Sequence, residues 1–270
     1  MASPPCVLTL RDKAPSYLHR DHITARYIHG GSYASAASRT LFQWTNETAN
    51  VWTTIIAYII VNVLYLSSRH FEGTHAPFLL LYISAAVHLP FSICCSLFMG
   101  VSEEARNLWR GLDIFFIFTC GVVRGCGIGW HVFGRTAYSI YTVVLLVDWC
   151  YCMARIMLWK RVKDIPRREL VWDIAGICTG YTAPMVLAAL GECIHRGAGA
   201  AAALTGGTAL CLWVSAAVCA LHIPETWSPG RFDVFGSHAI MHVLVTVEYV
   251  LEWMFIREGM LAEVSARIHV

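Results

Sequence analysis

Seven stretches of roughly 20 mostly apolar residues run through this chain, each long enough to cross the hydrocarbon core of a bilayer as a helix. They fall at about 50–67, 77–99, 111–132, 136–159, 170–192, 198–222 and 235–256. A chain in lipid must satisfy its own backbone hydrogen bonds, so such stretches are read as helices. The expected fold is therefore an all-α membrane protein, a seven-transmembrane helix bundle. Composition agrees, with 14% charged residues against about 25% in soluble domains. A net charge of +2 leaves no electrostatic footprint for nucleic acid. Most of the eleven cysteines lie inside apolar stretches, where a free thiol packs as a small hydrophobe. The sixth stretch is rich in Ala and Gly, which suits close helix packing.

The N-terminal 20 residues are polar and lack an apolar signal region, so insertion is expected to rely on the first span. Orientation follows from Lys and Arg in the loops. One side carries Arg11, Lys13, Arg20, Arg26, Arg39, Arg106, Arg110, Lys160, Arg161, Lys163, Arg167, Arg168 and Arg231. The other carries Arg69, Arg135, Arg196, Arg257 and Arg267. The bias predicts a cytosolic N-terminus and an extracellular C-terminus. The expected parts are a cytosolic tail over 1–45, a membrane domain over 46–258 and an extracellular tail over 259–270.

Ionisable groups inside spans are costly and face a bundle interior or a cavity. Arg124, Asp148, Arg155, Asp173, Glu248 and Glu252 are of this kind. Arg124 is expected to pair with Glu248 or Asp148 at mid-membrane depth, either as a structural ion pair or in a polar substrate cavity. "GSHAIMH" (236–242) places His238 and His242 four apart, on one face of a helix. The topology puts them roughly 5 and 10 Å inside the cytosolic surface. Asp113, at the start of the third span, and Ser92, Cys94, Cys95 and Ser96, at the end of the second, fall in the same layer. A catalytic zinc takes three protein ligands and a water. Asp113, Cys94 or Cys95 could supply the third ligand, or Asp113 could orient the water; His88 lies about 12 Å deeper than Ser96.

Three stretches resemble the progestin and adipoQ receptor family, which includes the adiponectin receptors, membrane progestin receptors and bacterial haemolysin III proteins. They are "NETANVW" (46–52), "LD" (112–113) and "IPETWSPGRFDVFGSHAIMH" (223–242), and the likeness covers nearly the whole chain after about residue 27. The resemblance implies a Zn2+ near the cytosolic side, held by two His of the seventh helix and one of the second. It assigns the metal to His238 and His242, and the metal-bound water to Asp113 and Ser92. The second-helix histidine position falls on Ser96, in "SICCS", and Thr54 stands where the family pattern has His, in "WTT" for "WTH". The zinc site is thus expected to be incomplete, or completed by Asp113 or Cys95. "NET" (46–48) also spells a glycosylation acceptor, but on the cytosolic side it reads as the family motif and as a helix entry, with Trp52 at the interface.

The resemblance implies a receptor-like membrane protein responding to a lipid, steroid or protein hormone. A second reading is a zinc-dependent lipid amide hydrolase, ceramidase-like, in which Asp113 and Ser92 serve a zinc-bound water. A third is a non-catalytic structural membrane protein in which the His pair is packing. All three place the chain in a membrane as a multi-pass protein surrounded by lipid.

Overall fold

The computed structural model describes residues 6–68, 76–158, 167–197 and 199–268. Arg69, Lys160, Arg161 and Lys163, counted for orientation, lie outside the described residues, as do the side chains of Arg167, Arg168, Arg196 and Arg267. Among the described residues, β1 (Val7–Thr9) and β2 (Tyr27–His29) form a two-stranded antiparallel sheet. Eight helices follow: α1 (Tyr33–Phe42), α2 (Thr48–Ser68), α3 (Ala76–Phe98), α4 (Glu103–Gly129), α5 (Arg135–Leu158), α6 (Arg167–Arg196), α7 (Ala200–Leu221) and α8 (Ser237–Ile268). Helices α2 to α8 are long and apolar enough to cross a membrane. The protein is an integral, multi-pass, all-α membrane protein.

Six of the seven spans start within about three residues of their apolar stretches. The exception is α4, which begins at Glu103 rather than near 111. Arg106 and Arg110, read as loop residues, lie within it. Ser102 starts this helix, its hydroxyl accepting from Ala105 N (3.1 Å), and Glu103 and Glu104 lie where the helix dipole favours negative charge. Asp113 is consequently not at the helix start but ten residues in, roughly 15 Å along the axis. At the other end of the chain, α8 continues to Ile268, through most of the segment read as a tail.

The chain divides into two compact units. The first comprises Met1–Ile59, Leu89–Ile114 and Leu212–Thr246. In it the residues before α1 are folded. Tyr27 is buried and packs with Ala14, Leu18 and Ile23, with Met99 against the cluster. Ser32 and Ser35 cap α1 reciprocally.

The second unit comprises Ile60–His88, Phe115–Cys211 and Val247–Val270. Aromatic side chains pack it, with Tyr65 stacked on Tyr82 at 4.2 Å and Phe78 tilted against Trp253. Gly207 of α7 admits the side chain of Leu251, because an added Cβ would lie 3.0 Å from Leu251 Cδ1. The close approach expected of the sixth span is thus present at this position. Asp148 and Asp173 face one another electrostatically, and Arg155 pairs with Asp173 (3.4 Å). Arg124 pairs with Glu248 and Glu252 rather than with Asp148. All eleven cysteines are free thiols.

Candidate functional site

The start of α8 is held by a carboxylate. Glu225 Oε1 accepts from both the backbone N (2.7 Å) and the hydroxyl (2.8 Å) of Ser237, satisfying donors at the exposed end of the helix ladder. Gly236 leaves room for the Glu225 carboxylate, which a Cβ there would displace from Ser237. Asp233, also buried, accepts from Thr24 N, Thr24 Oγ1 and Ala25 N at 2.9–3.1 Å. The motif read as a lead into the seventh span therefore also binds the N-terminal segment.

His238 and His242 then lie on successive turns with ring centroids 4.6 Å apart. The Nδ1 of His242 faces three oxygens of α2: Asn50 O at 3.2 Å, Thr54 Oγ1 at 2.9 Å and Thr53 Oγ1 at 3.2 Å. The carbonyl can only accept. Thr54 gives its hydroxyl hydrogen to Asn50 O (2.8 Å), and Thr53 gives its own to Ala49 O (2.8 Å). A proton on Nδ1 matches all three oxygens, and in a neutral imidazole that tautomer leaves the lone pair on Nε2. Thr54, where the family has histidine, thus orients the ring of His242.

The "NET" motif forms a buried polar entry to α2. Thr48 Oγ1 donates to Gln43 O (2.6 Å) and accepts from Thr45 N (2.9 Å). Asn46, Glu47 and Thr48 are all buried at the start of α2. Trp52 is partly exposed, and its indole N–H reaches Leu41 O (3.0 Å), joining α1 to α2.

Glu47 takes a hydrogen bond from Asn50 Nδ2 (2.8 Å), pairs with Arg20 Nη2 (2.8 Å) and takes another from Ser96. Burial pushes its carboxyl above the ordinary range, while Arg20, Asn50 and Ser96 pull it down. Ser96 is therefore already engaged, in the position where a histidine ligand was expected. Ser92 and Cys95 are buried on the same helix, and Asp113 lies within electrostatic reach of Cys95. His88 belongs to the other unit.

The haemolysin-III related family model matches residues 42–252. The chain belongs to that family. It is 26% identical over 249 residues to membrane progestin receptor gamma of Homo sapiens, covering 87% of this chain and 76% of that one. It is 25% identical to membrane progestin receptor delta of Homo sapiens, over 94% and 78% of the two chains. The adiponectin receptor protein of Drosophila melanogaster is 27% identical over 78% of this chain and 50% of its own length. The likeness in the three quoted motifs thus extends over nearly the whole chain.

The zinc implied by the haemolysin-III resemblance calls for three protein donors. His242, with Nδ1 turned to oxygens of α2, has the form of a ligand held from behind. The rest of the donor set does not fit. Among the described residues, no group of three His, Cys, Asp or Glu side chains stands close enough to hold a metal. Ser96 offers a neutral hydroxyl tied to Glu47. Arg20 and Arg110 also bring positive charge within reach of His238, which opposes a dication there.

The sequence reading singled out His238, His242, Asp113, Ser92 and Ser96 but passed over Arg20, Glu47, Glu225 and Asp233. Of these, only Glu47, Glu225 and Asp233 lay within quoted motifs, as acidic residues next to helix starts. Arg20 carried no local signal.

Proposed function

We propose that the protein is a receptor-like member of its family, responding to a lipid, steroid or hormone without hydrolysing it. One observation carries this reading: Ser96, where the family pattern has its third zinc ligand, is bonded to Glu47 and through it to Arg20. An enzyme of the ceramidase-like type needs a metal to activate water and polarise the carbonyl. Two imidazoles beside two guanidinium groups are poorly suited to that work. Relatives named membrane progestin receptors and adiponectin receptor support a receptor class. In this reading the first unit faces the cytosol, as the Lys and Arg bias indicates. His238, His242, Asp113 and Ser92 remain there as a polar cluster below the membrane surface.

The test uses full-length protein in lipid nanodiscs. Zinc per chain is measured for wild type, His242→Ala and Ser96→His, beside progesterone binding and release of fatty acid from ceramide. The expected results are well under one zinc per wild-type chain, a rise in Ser96→His, saturable steroid binding and no ceramide turnover. One zinc per wild-type chain, lost in His242→Ala together with ceramide turnover, would replace this reading with the hydrolase. A thiol introduced near residue 12 and labelled only from the cytosolic side would support the orientation; labelling from outside would overturn it.

A further inference from the structure

The second unit contains a charge cluster that the receptor reading does not use. Arg124 of α4 is buried, and so are Glu248 and Glu252, one turn apart on α8, at 1% and 0% exposure. Arg124 Nε pairs with Glu252 Oε2, and its Nη2 lies 3.6 Å from Glu248 Oε1. Tyr181 of α6 donates to Glu248 Oε1 at 2.6 Å, and its ring lies under the guanidinium at 4.8 Å. Among the described residues, Glu252 Oε1 has no hydrogen-bond partner.

The charges do not balance if both acids are ionised. The other titratable groups facing the two acids are Cys120 of α4, Tyr141 of α5, Cys178 and Tyr181 of α6, Cys211 of α7 and Tyr249 of α8. Tyr82 of α3 acts on Tyr249. Thiols and phenols are neutral at neutral pH, so among the described residues named here Arg124 is the one cation. Two carboxylates against one guanidinium would leave a net negative charge buried at membrane depth, which is prohibitive. Two carboxylates one helical turn apart and against the same guanidinium also repel, and a proton shared by the pair relieves this.

We propose that Glu248 and Glu252 form a proton-binding dyad, holding one proton between them and presenting a single negative charge to Arg124. The proton satisfies Glu252 Oε1 and brings the cluster to neutrality. It belongs to the pair rather than to either residue.

The experiment is infrared spectroscopy and thermal unfolding of the full chain in nanodiscs at neutral pH. Wild type should show a protonated-carboxyl carbonyl band that shifts in heavy water. Glu248→Gln and Glu252→Gln should each lose that band, because the one remaining acid ionises against Arg124. Each single variant should melt close to wild type, since the amide replaces a protonated acid of the same shape. The double variant strands Arg124 and should melt roughly 10 °C lower. The proposal is overturned if the band is unchanged in both single variants, or if either single variant melts as low as the double. Stabilisation of wild type by sodium at fixed pH, absent in the single variants, would assign the place to a cation and overturn it equally.

Discussion

Two pairs of ionisable side chains lie ten residues apart on α8, each pair separated by one turn: His238 with His242, and Glu248 with Glu252. Helical spacing is the same in both, yet their surroundings differ in kind. The imidazoles can be neutral, so backbone and hydroxyl oxygens suffice; His242 is held by Asn50, Thr53 and Thr54, none of them charged. The carboxyls begin as charges and need Arg124, a phenol and, in our proposal, a proton. A neutral imidazole such as that of His242 is satisfied by uncharged oxygens alone. A charged pair at membrane depth cannot lose its counter-charge without consequence.

The largest expected effect follows directly. Arg124→Gln removes the cation and leaves two buried carboxyls, at a cost of about 3–5 kcal/mol at neutral pH. Folding then requires both acids to be neutral, so the folded variant binds more protons than the unfolded chain wherever free carboxyls ionise. Its stability must fall as pH rises, and the deficit should shrink as pH approaches about 4.3, where unfolded glutamates take up protons. Melting temperatures of wild type and variant across pH measure this. A deficit independent of pH would mean that Arg124 acts by packing, and the contrast between the two pairs would lose its electrostatic basis.

Much of this contrast was legible in the sequence. Spans follow from hydrophobic length, so seven were expected and seven are found. Charges within spans announce themselves, so Arg124 is expected to pair with Glu248 or Asp148, and of these it meets Glu248. Glu252 was recognised as costly but not as the nearer partner, because the choice between two acids one turn apart depends on side-chain placement. The start of α4 was missed for the converse reason. Its first turns carry Glu103, Glu104, Arg106 and Arg110, and hydropathy reads amphipathic turns as loop. The folding of the N-terminal segment was invisible, since Asp233 meets Thr24 across 209 positions and no periodicity records such a contact.

That long-range tie gives the second prediction, which acts on the histidine end alone. Asp233→Ala leaves the buried donors Thr24 N and Ala25 N without their acceptor, at a cost of about 2–3 kcal/mol. Limited proteolysis should cut the chain before α1 faster than in wild type, while the infrared band of the glutamate dyad stays unchanged. Asp233→Asn keeps one acceptor oxygen and should fall between the two. A variant that loses the dyad band as well would show that the two regions do not respond independently.

The smallest effect concerns Glu47, the one carboxylate of the histidine end that behaves in part like the dyad. Burial raises its carboxyl above the ordinary value of 4.5 in spite of Arg20. A group raised in the folded state contributes stability that is fully present below the unfolded value. That contribution is lost as pH rises through the folded one. Glu47→Gln cannot titrate, so wild type should lose ground to the variant as pH rises from about 4 toward 8, in melting temperatures taken side by side. Arg20 is about one-third exposed and can turn to water when its partner is neutral, which keeps the effect small. The opposite slope, with wild type gaining at high pH, would mean that the Arg20 pair outweighs burial. Glu47 would then belong with surface ion pairs rather than with the sealed carboxyls of α8.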